Sequence, residues 1–246
     1  AEALQRVQGE VPADIAGAYQ LLQATVLMAL GQNREAAQVL EDWQGATALA
    51  AYAYYNRGIA LVRAGEHLQA VPVLEQAVDM PAKGEELLAL RDKAQLSLGY
   101  AYARVEDYKQ ARKQLEAVRP QGPFSNRALL ALGWIAHKQG RSESALVFWM
   151  ELRGRSPTDP AVLETLLVVP AVHRELDALQ TATRDYEAAM TAYNSELNRL
   201  HAARESVQTG NAVSLLLQND SGSGPGAAGQ AASGETAYFG PLPASS

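Results

Sequence analysis

The chain contains no cysteine in its 246 residues, which excludes a disulfide framework, a thiolate metal site and a cysteine nucleophile. It has no apolar run approaching the ~18 residues needed to span a bilayer. No secretory signal pattern stands at its start, where the apolar positions are spaced and interrupted by Gln and Glu. The chain begins Ala1-Glu2 rather than with Met, so the missing leader says nothing about a parent protein. Basic charge is in deficit: 21 Lys and Arg against 27 Asp and Glu give a net charge of −6. That balance argues against broad contact with a nucleic acid backbone. Histidine is sparse, and His67, His137, His173 and His201 are too far apart for His-Glu-x-x-His or another close ligand spacing. There is no phosphate-binding Gly-x-x-x-x-Gly-Lys-Ser/Thr loop and no Gly-x-Ser-x-Gly elbow. Glu85-Glu86 reads as a helix start rather than an acid/base pair, which would need a cleft to shift one pKa. The expectation is no catalytic residue, no metal and no cofactor, hence no enzyme.

What is present is repetition. Composition is that of a globular protein, 48% hydrophobic and 20% charged. One pattern recurs: Tyr54, Arg57, Gly58 and Leu61, then Gly65, Ala70, Leu74, Ala77 and Pro81. The next copy is Leu98, Gly99 and Tyr102, then Tyr108, Ala111, Leu115, Val118 and Pro123. A third is Leu132, Gly133 and Ala136, then Gly140, Ala145, Trp149, Leu152 and Pro157. A looser copy, Ala24, Leu27, Gly31, Ala36, Leu40 and Trp43, precedes them. Apolar residues at i, i+3, i+4 and i+7 make each copy two helices. Gly58, Gly99 and Gly133 fall mid-helix, where glycine costs about 1 kcal/mol against alanine, so a close helix approach is expected there. Ala36, Ala70, Ala111 and Ala145 take the matching role on the second helix. Gly31, Gly65 and Gly140 mark the turn within each pair. Pro81, Pro123 and Pro157 are expected to end second helices.

The alanines Ala36, Ala70, Ala111 and Ala145 are 34, 41 and 34 residues apart. A 34-residue period with this pattern resembles the tetratricopeptide repeat (TPR) family over roughly residues 1–160. The resemblance implies an all-α, right-handed superhelical solenoid of antiparallel helix pairs. Seven extra residues around 81–90 are expected to lengthen the first helix of the third pair at its N-terminus, with Glu85 and Glu86 at the positive end of its dipole. Residues 1–12 fit the end of a truncated preceding repeat, on which register Ala1 falls inside a helix. Residues 13–157 form the array of about four pairs. Residues 158–207 form a modified fifth pair and a long capping helix, opened by Asp159-Pro160, kinked at Pro170, with Ala189 at the second-helix position. Residues 208–246 are a flexible low-complexity tail, with Tyr238-Phe239 its one aromatic pair.

Function then rests on surfaces. In TPR arrays the first helix of each pair lines a concave groove. Carrying that over selects Tyr52, Tyr55, Asn56, Ile59 and Arg63 from the second pair. The third pair gives Lys93, Leu96, Ser97, Tyr100 and Arg104, and the fourth Arg127, Leu130, Trp134, His137 and Lys138. The first pair's Ala18, Leu21, Thr25 and Met28 are apolar. Basic and aromatic residues thus gather on an acidic chain, and Tyr, Trp and Arg are enriched at binding hot spots. The alternative is an ordinary helix face with its aromatics packed between pairs. The chaperone-carboxylate clamp of some TPR domains is incomplete here, since Ser97 stands at its Arg position. A second surface is a heptad series, Leu176, Leu179, Thr183, Tyr186, Met190, Tyr193, Leu197 and Leu200. It reads either as a seam for docking or homo-oligomerisation, centred on Met190, Tyr193, Leu197 and Leu200, or as the stripe of a cap over the last repeat. The expected partner is a protein or peptide bound by a scaffold, the alternative being an assembly arm of a larger solenoid. Residues 89–94 and 122–130 resemble segments of long TPR proteins of proteobacteria, which points to a bacterial, envelope-associated parent.

Overall fold

The computed structural model describes residues 11, 12 and 14–209, and its regular structure there is helical throughout. Ten α-helices follow one another: α1 (Ala16–Ala29), α2 (Asn33–Val39), α3 (Ala50–Arg63), α4 (His67–Asp79), α5 (Gly84–Arg104), α6 (Tyr108–Glu116), α7 (Ser125–Lys138), α8 (Ser142–Arg153), α9 (Pro160–Glu175) and α10 (Leu179–Gln208). The expected repeat remnant at residues 1–10 and the tail from residue 210 onward lie outside the described residues. The chain divides into two compact units, Ala1–Tyr193 and Asn194–Ser246. The first holds α1 to α9 and the start of α10. Of the second, the described part is the end of α10, where Arg199 Nε donates to Glu196 Oε2 at 2.8 Å.

The five pairs are built on one turn. Gly31, Gly65 and Gly140 take φ of 77°, 81° and 72°. The same left-handed position is held by Glu106 (65°) and Asp177 (57°), where no glycine signals it. In every pair the next residue closes the helix end: Gln32 N–H donates to Leu27 O, Glu66 to Leu61 O, Asp107 to Tyr102 O, Arg141 to Ala136 O and Ala178 to His173 O. These six-residue closures satisfy carbonyls that the helix C-terminus would leave bare. The lengthened first helix is present: α5 has 21 residues against 14 in α3 and α7, with Glu85 and Glu86 in its first turn. Asp159 caps α9 by accepting from Ala161 N–H at 2.8 Å, and the helix continues through buried Pro170 to Glu175. Second helices stop before their prolines rather than at them: α6 ends seven residues before Pro123 and α8 four before Pro157. Those prolines sit in the connections.

The glycine notches are filled by a large side chain rather than by the facing alanine. A Cβ on Gly58 would lie 2.5 Å from Leu74, one on Gly99 2.7 Å from Leu115, and one on Gly133 2.1 Å from the Trp149 indole. Ala70, Ala111 and Ala145 are wholly buried beside them. Each notch glycine precedes its alanine by twelve residues, and so does Ala24 its partner Ala36. The fifth pair keeps that spacing through Pro170 and Ala182, which corrects the assignment of Ala189 to the alanine position.

Second helices pack on the first helix of their own pair and on that of the next, as α4 does on α3 and α5. Consecutive first helices also touch: α1 with α3, α3 with α5, α5 with α7 and α7 with α9. The first helices thus form a continuous row along one side of the first unit.

Within the first unit α10 turns Ala182, Asp185, Ala189 and Tyr193 inward. Asp185 accepts from Arg153 Nη1 at 2.7 Å and meets His173 Nδ1 at 2.8 Å. Tyr193 donates to Leu163 O at 2.8 Å. Of the heptad series, Tyr193 faces the last repeat, and the rest of the inward face is built by Ala182, Asp185 and Ala189. Leu179, Tyr186 and Met190 are exposed, Met190 at 66%. In the second unit Leu197 and Leu200 are exposed as well.

The row of first helices as a candidate binding site

From α3 onward, each step between neighbouring first helices carries a polar or aromatic bridge. Between α3 and α5, Tyr52 donates to Glu86 Oε1 at 2.5 Å, and Lys93 Nζ lies 5.1 Å from the Tyr55 ring centroid, a cation–π geometry. Between α5 and α7, the Tyr100 hydroxyl reaches Arg127 O at 3.5 Å. Between α7 and α9, Trp134 Nε1 donates to Glu164 Oε1 at 2.8 Å, and His137 Nε2 lies 3.8 Å from Glu175. The Trp134 ring stands edge-on to Trp149, centroids 5.2 Å apart, and Trp149 in turn donates to Leu130 O. The aromatics are thus held from behind, with little rotamer freedom left to lose on contact with a ligand.

The selected residues differ in access. Arg104 and Lys138 are exposed; Tyr52, Asn56, Arg63, Lys93, Tyr100, Arg127, Trp134 and His137 are half-buried. Tyr55 is only 6% exposed, so it supports Lys93 rather than offering a face of its own. Leu96 is also buried, while Leu130 is half-buried. His137 is held by Ser142 Oγ at 3.0 Å from its Nδ1. Burial pushes the Tyr100 phenol well above its ordinary pKa, outweighing the nearby Arg127 charge. It therefore stays a neutral donor at any physiological pH. Glu164 is raised by burial, against the lowering effect of the Trp134 hydrogen bond.

The fifth pair contributes positions that the sequence reading missed. With Pro170 in the notch, the register brings Glu164, Leu167, Ala171, Arg174 and Glu175 into the same row. Leu167 is 54% exposed. The row thus changes character along its length: Lys93, Arg104, Arg127 and Lys138 in the middle, acidic Glu164 and Glu175 at α9. Twelve-residue spacing from Pro170 to Ala182 was the available signal. It was obscured because proline is not expected where three pairs carry a small residue. Among the described residues no cluster of His, Asp and Glu is arranged to hold a metal ion, and no helix there is long and apolar enough to cross a membrane.

Antiparallel helix pairs, joined by one repeated turn and stacked with first helices along one side, define the class of helical repeat arrays. The profile of the tetratricopeptide repeat family matches residues 21–85 and 96–160, together more than half of the chain. The protein belongs to the tetratricopeptide repeat family. Its fold is similar to MamA from Desulfovibrio magneticus RS-1, with 19% identity over 75% of this chain and 98% of that one, at a TM-score of 0.59. It is also similar to the TPR-like repeats of a kinesin light chain from Podosopora anserina, with 19% identity over 76% of this chain and 99% of that one, TM-score 0.57. No curated protein matches the sequence at a significant level.

Proposed function

We propose that this protein is a scaffold that binds a partner polypeptide along the row of first helices, and that the partner segment presents acidic and apolar side chains. The observation that carries this reading is the coincidence of basic and braced aromatic residues on one side of an acidic chain. Tyr100 and Trp134 supply anchors on α5 and α7, and Lys93, Arg104, Arg127 and Lys138 surround them. Exposed cations would chiefly steer association and weaken with salt. The aromatics would supply the buried contact, Trp134 worth about 2 kcal/mol or more against ~0.5–1 for Lys138.

Trp134 also packs on Trp149, so truncating it would disturb the fold as well as the surface. The cleaner test reverses the two exposed charges, Arg104→Glu with Lys138→Glu. A captured partner segment is titrated calorimetrically against wild type and the double variant, with thermal melts alongside. The reading expects affinity to fall about tenfold at an unchanged melting temperature. Unchanged affinity would refute it.

The second reading, an assembly arm, is favoured by one observation: Leu179, Tyr186 and Met190 on α10 are exposed while Ala182 and Ala189 face inward. It predicts that Met190→Asp abolishes partner capture or self-association, and that the double variant above does not.

A further inference from the structure

The side opposite the row of first helices carries a recess. A pocket of about 240 Å³ opens between the second helices α6 and α8, above α7. Its lining is Leu132, Ile135, Ala136 and Phe148, with Val147, Ser144, Arg112 and Arg141. The volume suits one large side chain rather than a cofactor.

The repeat register shows why the pocket exists. Three residues after the notch glycine stand Leu61 and Tyr102 in the second and third pairs; the fourth has Ala136. Tyr102 bridges the apolar clusters on either side of it, and its hydroxyl donates to Glu75 on α4 at 2.5 Å. Ala136 leaves that space empty. One residue after the buried alanine, Val71 and Leu146 pack against apolar clusters, whereas α6 has Arg112. The residue after the turn is acidic in the second and third pairs, Glu66 and Asp107, but is Arg141 in the fourth. Val147 is 68% exposed at a position held by Pro72 in α4 and Lys113 in α6. Four departures from the array's own pattern therefore converge on one spot. They remove a large side chain, expose an apolar one and bring in two guanidiniums. Arg112 donates to Glu116 at 2.6 Å and Arg141 to the Gln139 side chain. These contacts use one of the five N–H donors that each guanidinium carries.

We propose that this pocket is a second binding site, which takes an apolar side chain borne next to a carboxylate on a partner polypeptide. The apolar floor desolvates the side chain, and the two arginines on the rim bind the carboxylate through charge-assisted hydrogen bonds. The site lies on the face opposite the proposed groove, so the array could hold two segments at once.

The test uses two acetylated, amidated dipeptides, Phe-Glu and Phe-Gln, titrated into the isotope-labelled full chain by two-dimensional NMR. The expected result is shifts at Ser144, Val147 and Ala136 with Phe-Glu, and binding about tenfold weaker for Phe-Gln. Ala136→Tyr copies the side chain that the third pair already accommodates, and the register places Glu116 where Glu75 meets Tyr102. This variant should abolish binding. Should it fail to fold, Arg112→Gln with Arg141→Gln, both at exposed positions, should erase the preference for Phe-Glu. No shift at these residues up to about 10 mM, equal binding of both dipeptides, or undiminished binding by a folded Ala136→Tyr variant would each overturn the proposal. Shifts given by decanoate with none from Phe-Glu would also overturn it, in favour of a small amphiphile. Charge reversal at Arg104 and Lys138 leaves this result untouched, so the two sites fail or stand independently.

Discussion

Gly133→Ala isolates the packing that sets the spacing of α7 and α8. On helix propensity alone the change should stabilise by about 1 kcal/mol. The new Cβ, however, would lie 2.1, 2.4 and 2.6 Å from three atoms of the Trp149 indole. Trp149 is wholly buried and its Nε1 donates to Leu130 O at 3.2 Å, so the ring cannot retreat without losing that bond and disturbing Trp134. Overpacking of this kind costs about 1–3 kcal/mol, and a buried donor left unpaired another 1–3 or so. The net expectation is destabilisation by about 1–5 kcal/mol after the propensity gain. Gly58→Ala is the contrast, because its Cβ meets only Leu74, and the first pair already combines Ala24 with Leu40 at these positions. It should cost under about 1 kcal/mol. Combining Gly133→Ala with Trp149→Leu recreates the first pair's solution, so the two changes should couple favourably by about 1–2 kcal/mol in a double-mutant cycle. Urea denaturation followed by far-ultraviolet circular dichroism gives the midpoints of wild type, Gly133→Ala, Gly58→Ala, Trp149→Leu and the double variant. Equal losses for Gly133→Ala and Gly58→Ala, or additivity in the cycle, would refute the notch argument.

Other perturbations follow from the same geometry. Asp92 is 2% exposed and accepts from both the backbone N–H and Nε of Arg119. Asp92→Ala should cost about 2–3 kcal/mol in urea denaturation, below a fully buried pair because Arg119 keeps Glu85; Glu85→Ala should leave the midpoint unchanged. Glu106→Gly should raise stability by about 0.5–1 kcal/mol, since φ of 65° strains any residue with a Cβ. Burial raises the Asp185 pKa, but the Arg153 and His173 hydrogen bonds lower it more, and the folded value lies below the ordinary one. Its contribution is therefore complete above the unfolded pKa of about 3.9 and lost as pH falls through the lower folded value. Asp185→Asn should flatten the acid limb of the stability curve there. Glu164 shifts the other way, its contribution being complete below the unfolded value and lost as pH rises through the folded one. Glu164→Gln should thus stabilise slightly at neutral pH and do nothing near pH 3, as paired thermal melts would show.

Most of the array was legible because its determinants are local. Gly31, Gly65 and Gly140 announce their turns through positive φ, and the insertion before Leu90 lengthened a helix where helix-dipole logic put it. The alanine position of the fifth pair was misassigned to Ala189 because the pair's turn uses Asp177 and its notch Pro170, neither of which carries the expected signature. Heptad spacing picked out Met190 and Leu197 as a stripe, but not which side of α10 faces the body. That side is fixed by Asp185 binding Arg153 and His173, a tertiary contact that periodicity does not encode. The groove residues were found by register, whereas the burial of Tyr55 under Lys93 depends on the spacing of α3 and α5. The outer pocket was present in the sequence as Ala136, Arg112 and Arg141. Those departures acquire meaning only once the helices bring them together.

Site-specific photo-crosslinking tests the central claim most directly. A photoreactive amino acid is placed in turn at Arg104 and Lys138 on the row of first helices, at Leu68 on α4, and at Met190 on α10. All four positions are exposed, so none requires repacking. The scaffold account predicts that Arg104 and Lys138 crosslink one and the same polypeptide, and that adding salt weakens the yield. Capture of that polypeptide from Met190 alone, with none from Arg104 or Lys138, would contradict it.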